Sequence, residues 1–205
     1  MALKELLQCG ALAVIRTQDQ KYGEEVSAAI VDAGITCIEV TLTTPGALEI
    51  IAKLASNKGI CVGVGTLIDL ADIARAKDAG AQYILSPHTD ARLIRASKDA
   101  GLISIPGVAT ASDVATALAA GADILKLFPA STYGTSHLKA LADPFPGNFW
   151  CPTGGISLAS IPEWFSAGAS LVGLGGPLLH GGIKEIANNV KAYMASIREA
   201  QEGVQ

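Results

Sequence analysis

The chain has 205 residues, 50% of them hydrophobic, with a formal net charge of −4 and a pI near 5.3. That length can bury one sizeable core as a single domain over 1–205 and lies near the lower limit for an eightfold β/α barrel, whereas a nucleic-acid or anionic-membrane surface would need a basic stripe that this charge balance does not supply. No apolar run reaches the roughly 18 residues of a membrane span, and the opening MALKELLQCG lacks the cationic head and long apolar middle of a secretory leader, so a cytoplasmic protein with a small-molecule ligand is expected.

A short N-terminal helix is followed by apolar runs that read as strands at 11–16, 36–42, 60–65, 82–86, 102–105, 123–128, 149–153 and 170–174. Their continuous apolar character suits strands covered on both faces, as in a parallel sheet wrapped by helices. Between them fall helix stops at Gly34, Gly80, Gly101, Gly121 and Gly168, four of the five preceded by Asp-Ala or Ser-Ala, each suited to a left-handed C-cap. The separations of 46, 21, 20 and 47 residues resolve into a repeat of about 20 to 23, one βα unit. Pro45, after a threonine pair, and Pro162, after Ser160, read as helix starts. Val26, Ala29, Ile30 and Ala33 form one core-facing stripe; Ile161, Trp164 and Phe165 form another; and Ile183, Ala187, Val190, Met194 and Ile197 form the last. Eight units of near-equal length favour a closed (β/α)8 TIM barrel over a doubly wound open sheet.

In such a barrel the site lies at the C-terminal ends of the strands, and the polar residues of this chain collect there. Arg16 ends the first strand, Glu39 stands in the second, Thr66 follows the third and Ser86-Pro87 ends the fourth. Lys126 stands in the sixth, Thr153-Gly154-Gly155 ends and follows the seventh, and Gly175-Gly176 follows the eighth. Lys126 interrupts Ile124-Leu125-Lys126-Leu127-Phe128, and Glu39 interrupts Cys37-Ile38-Glu39-Val40. Burial disfavours an ammonium ion and leaves the free amine that attacks carbonyls, while a buried carboxyl holds its proton more tightly and serves as general acid and base. A structural ion pair across the barrel is the competing account of the same two residues. The glycine pairs after the seventh and eighth strands suit backbone N–H binding of phosphate or carboxylate.

The remaining polar candidates are weaker. His88, His137 and His180 are too dispersed for a metal site. His88 follows a strand end and reads as an ordinary loop histidine. Cys9, Cys37, Cys61 and Cys151 form no C-x-x-C pair and read as buried thiols.

The segment GADILKLFPASTYG at 121–134 resembles the Schiff-base segment of the 2-keto-3-deoxy-6-phosphogluconate (KDPG) / 4-hydroxy-2-oxoglutarate (KHG) aldolases of class I. IEVTL at 38–42, GVGT at 63–66 and CPTGGI at 151–156 resemble the same family's glutamate motif and its third- and seventh-strand loops. The resemblance implies a metal-independent, cofactor-free carbon–carbon lyase working through a covalent imine on Lys126, with Glu39 as the acid–base. Thr66 and Arg16 would hold the pyruvate carboxylate, and Pro87 and Phe128 would shape the pocket around the pyruvyl methyl. Thr153 would join the substrate-binding set, and Gly154, Gly155, Gly175 and Gly176 would receive the distal anion. It further implies a homotrimer in the Entner–Doudoroff route or related 2-oxo acid metabolism; a protonated imine on Lys126 can also expel CO2 from a β-oxo acid, so oxaloacetate decarboxylation is expected as a side activity. Two positions depart from the family's pattern: Thr43 stands where many members have arginine, and Pro177 where many have a phosphate-binding serine. These leave phosphorylated and unphosphorylated 2-oxo acids both open as substrates. A phosphate-binding barrel epimerase or isomerase and a non-catalytic 2-oxo acid sensor are the rival readings.

Overall fold

A computed structural model describes residues 2–203. Eight strands occur in chain order: β1 (Ala11–Ile15), β2 (Cys37–Thr41), β3 (Cys61–Gly65), β4 (Tyr83–Leu85), β5 (Ile103–Ile105), β6 (Gly107–Val108), β7 (Lys126–Leu127) and β8 (Val172–Leu174). The order β5-β4-β3-β2-β1-β8 forms one parallel sheet, and β6 pairs in parallel with β7. Backbone bonds join the two into a ring: Lys126 N–H donates to Pro106 O, Cys151 N–H to Leu125 O and Gly173 N–H to Pro152 O, each at 2.9 Å. The result is the expected barrel of eight parallel staves.

The sixth stave is shorter than the expected 123–128, with only Lys126–Leu127 as strand, and two others are interrupted by proline. Pro106 has no N–H to continue the ladder, so the fifth stave breaks into β5 and β6. The seventh stave, expected as a strand over 149–153, is held only by the bridges Leu125–Trp150 and Thr153–Gly173. Its N–H groups at Cys151 and Thr153 donate toward β7, but Pro152 offers none toward β8.

Strand alternation sorts the side chains into two cores. Ala13, Ile15, Ile38, Val40, Val62, Val64, Leu125 and Leu127 face outward and are buried beneath the helices. Leu12, Cys37, Cys61, Tyr83, Leu85, Ile105, Ile124, Cys151 and Leu171 fill the barrel interior with Leu6. Both faces are therefore apolar, which is why the strands read as unbroken apolar runs. Helix α1 (Ala2–Cys9) plugs the N-terminal end: Leu6 is fully buried, and Cys37 Sγ donates to Glu5 O at 3.6 Å. All four cysteines are free thiols, three buried and Cys9 partly so.

The outer helices are α2 (Gln20–Ala33), α3 (Ala47–Ala55), α4 (Ala71–Asp78), α5 (Ala91–Asp99), α6 (Ala111–Ala119), α7 (Ala130–Ala142) and α8 (Ile161–Ser166), with α9 (Gly176–Leu179) and α10 (Ile183–Gly203) completing the chain. Each of the five expected stop glycines takes a positive φ, from 77° at Gly101 to 114° at Gly34. Pro162 lies in the first turn of α8. Pro45, by contrast, lies in the turn before α3, which starts at Ala47 after Gly46. The α10 stripe is Ile186, Val190, Tyr193 and Ile197, with Ile183 37% exposed, Ala187 exposed and Met194 half-buried; the buried face is turned by one position from the expected one. Helix α9 is absent from the sequence-based reading, because four residues carry no helical period. No helix among the described residues is long and apolar enough to cross a membrane.

Leu6 joins α1 to the barrel floor, so Leu6→Ala leaves a void beneath Leu12 and Leu171. A loss of about 2–5 kcal/mol of stability is expected, read as a lower urea midpoint with an unchanged slope.

Candidate active site

Alternation also fixes what reaches the C-terminal mouth. On β2 the inward positions are Cys37, Glu39 and Thr41; on β3 they are Cys61, Gly63 and Gly65; at β7 they are Ile124, Lys126 and Phe128. Above the apolar floor these open into a cavity of about 560 Å³, within the size range of small-molecule sites. The cavity brings together all eleven residues singled out from the sequence. Arg16, Glu39, Thr66 and Pro87 line one side, Lys126, Phe128 and Thr153 the other, and Gly154, Gly155, Gly175 and Gly176 the distal wall. His88 is exposed and stands outside it.

Glu39 is 1% exposed and Lys126 5%. No ion pair found among the described residues involves either one. The charges are close enough to act on each other through space, but the structural cross-barrel salt bridge is not formed. Lys126 Nζ instead lies 4.9 Å from the centroid of the Phe128 ring, a cation–π distance. Glu39 Oε2 is buried with no hydrogen-bond partner. Burial pushes this carboxyl above its usual value of 4.5, with Lys126 and then Arg16 pulling the other way. A carboxyl so placed takes up a proton more readily than a free one, and its proton affinity depends on the charge opposite.

The mouth carries a further cation. Arg16 Nη2 donates to Thr66 Oγ1 at 3.2 Å, so the guanidinium of β1's end and the hydroxyl after β3 face the same space. Thr66 takes φ 56°, a strained conformation for a β-branched residue and one that clusters at functional sites. Thr43 is exposed, outside the cavity, and its hydroxyl is 3.0 Å from that of Thr41. It supplies no charge to the mouth.

At the distal wall Gly154 and Gly155 take φ 98° and 76°. The loop is fastened from behind: Ala130 N–H donates to Thr153 O at 2.8 Å and Ser131 N–H to Gly154 O at 2.9 Å. Those bonds occupy the first N–H groups of α7. Helix α9 faces the cavity with Pro177 in its first turn and Leu179 beyond. Cys151, one inward position below Thr153, is fully buried, and its thiol is pushed up to about 12, chiefly by burial. It is no nucleophile.

This arrangement of a buried lysine and a buried carboxyl above an apolar floor, with Arg16 and Thr66 at the mouth, suits imine chemistry. The family model for KDPG and KHG aldolase matches residues 4–194. The chain belongs to the KDPG and KHG aldolase family. As an aldolase it is a carbon–carbon lyase. A probable 2-dehydro-3-deoxy-6-phosphogalactonate aldolase of Rhizobium meliloti (strain 1021) is 32% identical over 176 residues, covering 84% of this chain and 82% of the relative. A solved native KDPGal structure superposes with a TM-score of 0.88 at 29% identity, over 94% of this chain and 96% of that one. KDPG aldolase from Legionella pneumophila, solved with pyruvate captured at low pH as a covalent carbinolamine intermediate, superposes with a TM-score of 0.82 at 27% identity, over 98% of each chain.

Three lining residues of this aldolase were missed or misjudged from sequence: Val14, Pro177 and Leu179. Val14 had a signal, since it lies two residues before Arg16 and alternation turns both inward. Pro177 was seen only as a missing hydroxyl donor. Leu179 had no signal, because its helix has none.

The raised carboxyl of Glu39 makes stability depend on pH. Below its usual 4.5 both folded and unfolded chains hold the proton, and the group contributes no difference. As pH rises the unfolded chain ionises first, so the folded state loses ground until Glu39 itself ionises. Glu39→Gln should therefore raise Tm by an amount that grows from about pH 4.5 upward and then levels; a gain independent of pH would contradict this origin.

Proposed function

We propose that this chain, as one barrel domain, cleaves 2-oxo acids of the KDPG and KHG type by a Schiff-base mechanism, releasing pyruvate. The observation that carries this is the pairing of Lys126 and Glu39, both buried, unbridged and facing one cavity. Lys126, as the free amine, adds to the C2 carbonyl. Loss of water, with Glu39 supplying the proton, gives a protonated imine. Glu39 then takes the proton of the C4 hydroxyl. The C3–C4 bond breaks, its electron pair flows into the imine, and the aldehyde leaves an enamine behind. Glu39 returns a proton to C3, and hydrolysis frees pyruvate and the amine.

The other lining residues have matching tasks. Arg16 and Thr66 hold the pyruvate carboxylate. Pro87 and Phe128 enclose the methyl end, and Thr153 contacts the reacting carbons. Gly154, Gly155, Gly175 and Gly176 receive the distal anion through backbone N–H groups. The aldehyde product is glyceraldehyde 3-phosphate from KDPG or glyoxylate from KHG. The same protonated imine accepts the electron pair released when oxaloacetate loses CO2. No step draws on a metal or other cofactor. We further propose a cytoplasmic homotrimer in Entner–Doudoroff or related 2-oxo acid metabolism.

Incubation with pyruvate and borohydride should leave a reduced adduct that mass spectrometry maps to Lys126. Lys126→Ala should lose the adduct, aldol cleavage and oxaloacetate decarboxylation together, and Glu39→Gln should lower kcat by about 10²- to 10⁴-fold. An unmodified Lys126 in an active protein would point instead to the epimerase or isomerase reading. An adduct without any turnover would point to the sensor.

A second reading concerns the distal group. Pro177 offers neither hydroxyl nor N–H, and Leu179 beside it is apolar, which favours an unphosphorylated 2-oxo-3-deoxy acid. If a missing donor sets this preference, Pro177→Ser should raise kcat/KM for the phosphorylated substrate by about tenfold or more and leave that for its unphosphorylated form nearly unchanged. An equal change for both would dismiss this reading.

A further inference from the structure

Among the described residues Glu39 has no hydrogen bond to fix its carboxyl, and Oε2 is buried without a partner. A group that is not tied must be held by the walls around it. The wall that decides its position is on the neighbouring strand. In the β2–β3 register Glu39 pairs with Gly63 and Thr41 with Gly65, and the Glu39 side chain leans along its strand toward the mouth, over Gly65. A methyl group built at Gly65 would overlap the Glu39 carboxyl and come within 2.6 Å of its Cγ. Real side chains do not approach so closely.

Backbone geometry gives no other reason for glycine here. Gly65 is an extended strand residue with no positive φ, a conformation any amino acid adopts. Glycine inside a strand costs about 0.5–1 kcal/mol relative to alanine, and it packs nothing. The same device recurs in the barrel: a methyl group at Gly63 would come within 2.6 Å of Tyr83 Cγ, and one at Gly173 within 2.7 Å of Thr153 Cγ2. Inward glycines on these strands are the spaces that inward side chains of their neighbours occupy. Only at Gly65 is the occupant an ionisable group without a hydrogen bond.

We infer that Gly65 is a positioning residue, the empty seat that places the Glu39 carboxyl in reach of the atoms reacting at Lys126. The inference rests on Glu39 acting as the acid–base. Its structural half, that the carboxyl occupies the space a Gly65 side chain would take, can be tested without turnover.

Two measurements on the full-length chain test it. In stability, Gly65→Ala should lower Tm in the wild-type background and leave Tm level or higher in a Glu39→Ala background, where the obstructed carboxyl is gone. Should Gly65→Ala alone fail to fold, the double variant is expected to fold. In kinetics, Gly65→Ala should lower kcat by about 10²-fold, the cost of misplacing a reacting group by roughly 1 Å, while KM moves less than about threefold and prolonged pyruvate–borohydride treatment still labels Lys126. In a Glu39→Gln background the same change should lower kcat by less than about threefold further, the non-additivity of groups in contact. Equal losses of kcat in both backgrounds, or an equal loss of Tm with and without the Glu39 side chain, would overturn the inference. Wild-type turnover by Glu39→Gln would instead sink the acid–base reading, and the Tm comparison would still report whether Gly65 seats the carboxyl.

Discussion

The Glu39 carboxyl is buried with one oxygen unpaired, and most of what distinguishes this barrel follows from accommodating it. Removing a carboxyl from water without a partner costs several kcal/mol if it is charged and much less if it keeps its proton. Burial therefore raises the carboxyl above its usual range, with the charges of Lys126 and Arg16 opposing that rise but not bonding it. A hydrogen bond to Glu39 would have stabilised one protonation state and narrowed its use. Left unpaired, the carboxyl is governed by burial and by the nearby charges of Lys126 and Arg16.

That arrangement requires a space of low polarity beneath the carboxyl, and the rest of the barrel supplies one. The floor beneath the cavity is apolar, filled by Tyr83, Ile105, Ile124, Cys151 and Leu171 and sealed from below by Leu6 of α1. Tyr83 sits low in the barrel with its hydroxyl donating to Ile38 O at 2.6 Å, so its one polar atom is spent on the backbone. Above, the mouth is polar at Arg16 and Thr66 and mostly backbone and apolar side chains at the far wall. Stability is concentrated at the N-terminal end of the staves and chemistry at the C-terminal end, the division expected of this fold.

The short staves are part of the same economy. Pro106 interrupts the fifth stave and Pro152 the ladder between the seventh stave and β8, yet the ring still closes because the remaining N–H and C=O groups find partners across the gaps. The loop that carries Gly154 is clamped by the first N–H groups of α7. The helix end nearest the cavity therefore serves to fix the wall.

How much was legible in advance differs by kind of residue. The barrel, its glycine stops and the inward placement of Lys126 and Glu39 could be read in order, because each depends on local rules: a helix stop needs a left-handed residue, and a charge inside an apolar run has only one affordable direction to point. The convergence of Arg16, Thr66, Pro87, Phe128, Thr153 and the glycine pairs on one mouth followed from the parallel order of the strands. What lay outside such rules did not show. Helix α9, with Leu179, is a single turn with no period; the α10 stripe is set by where that helix first touches α2 and α8; and the broken staves depend on which way each proline faces its neighbour. Gly65 reads in sequence as one glycine of a strand. Only the register of β2 against β3 reveals that it is the space beside Glu39, since a steric vacancy is a property of two strands together and is written in neither alone.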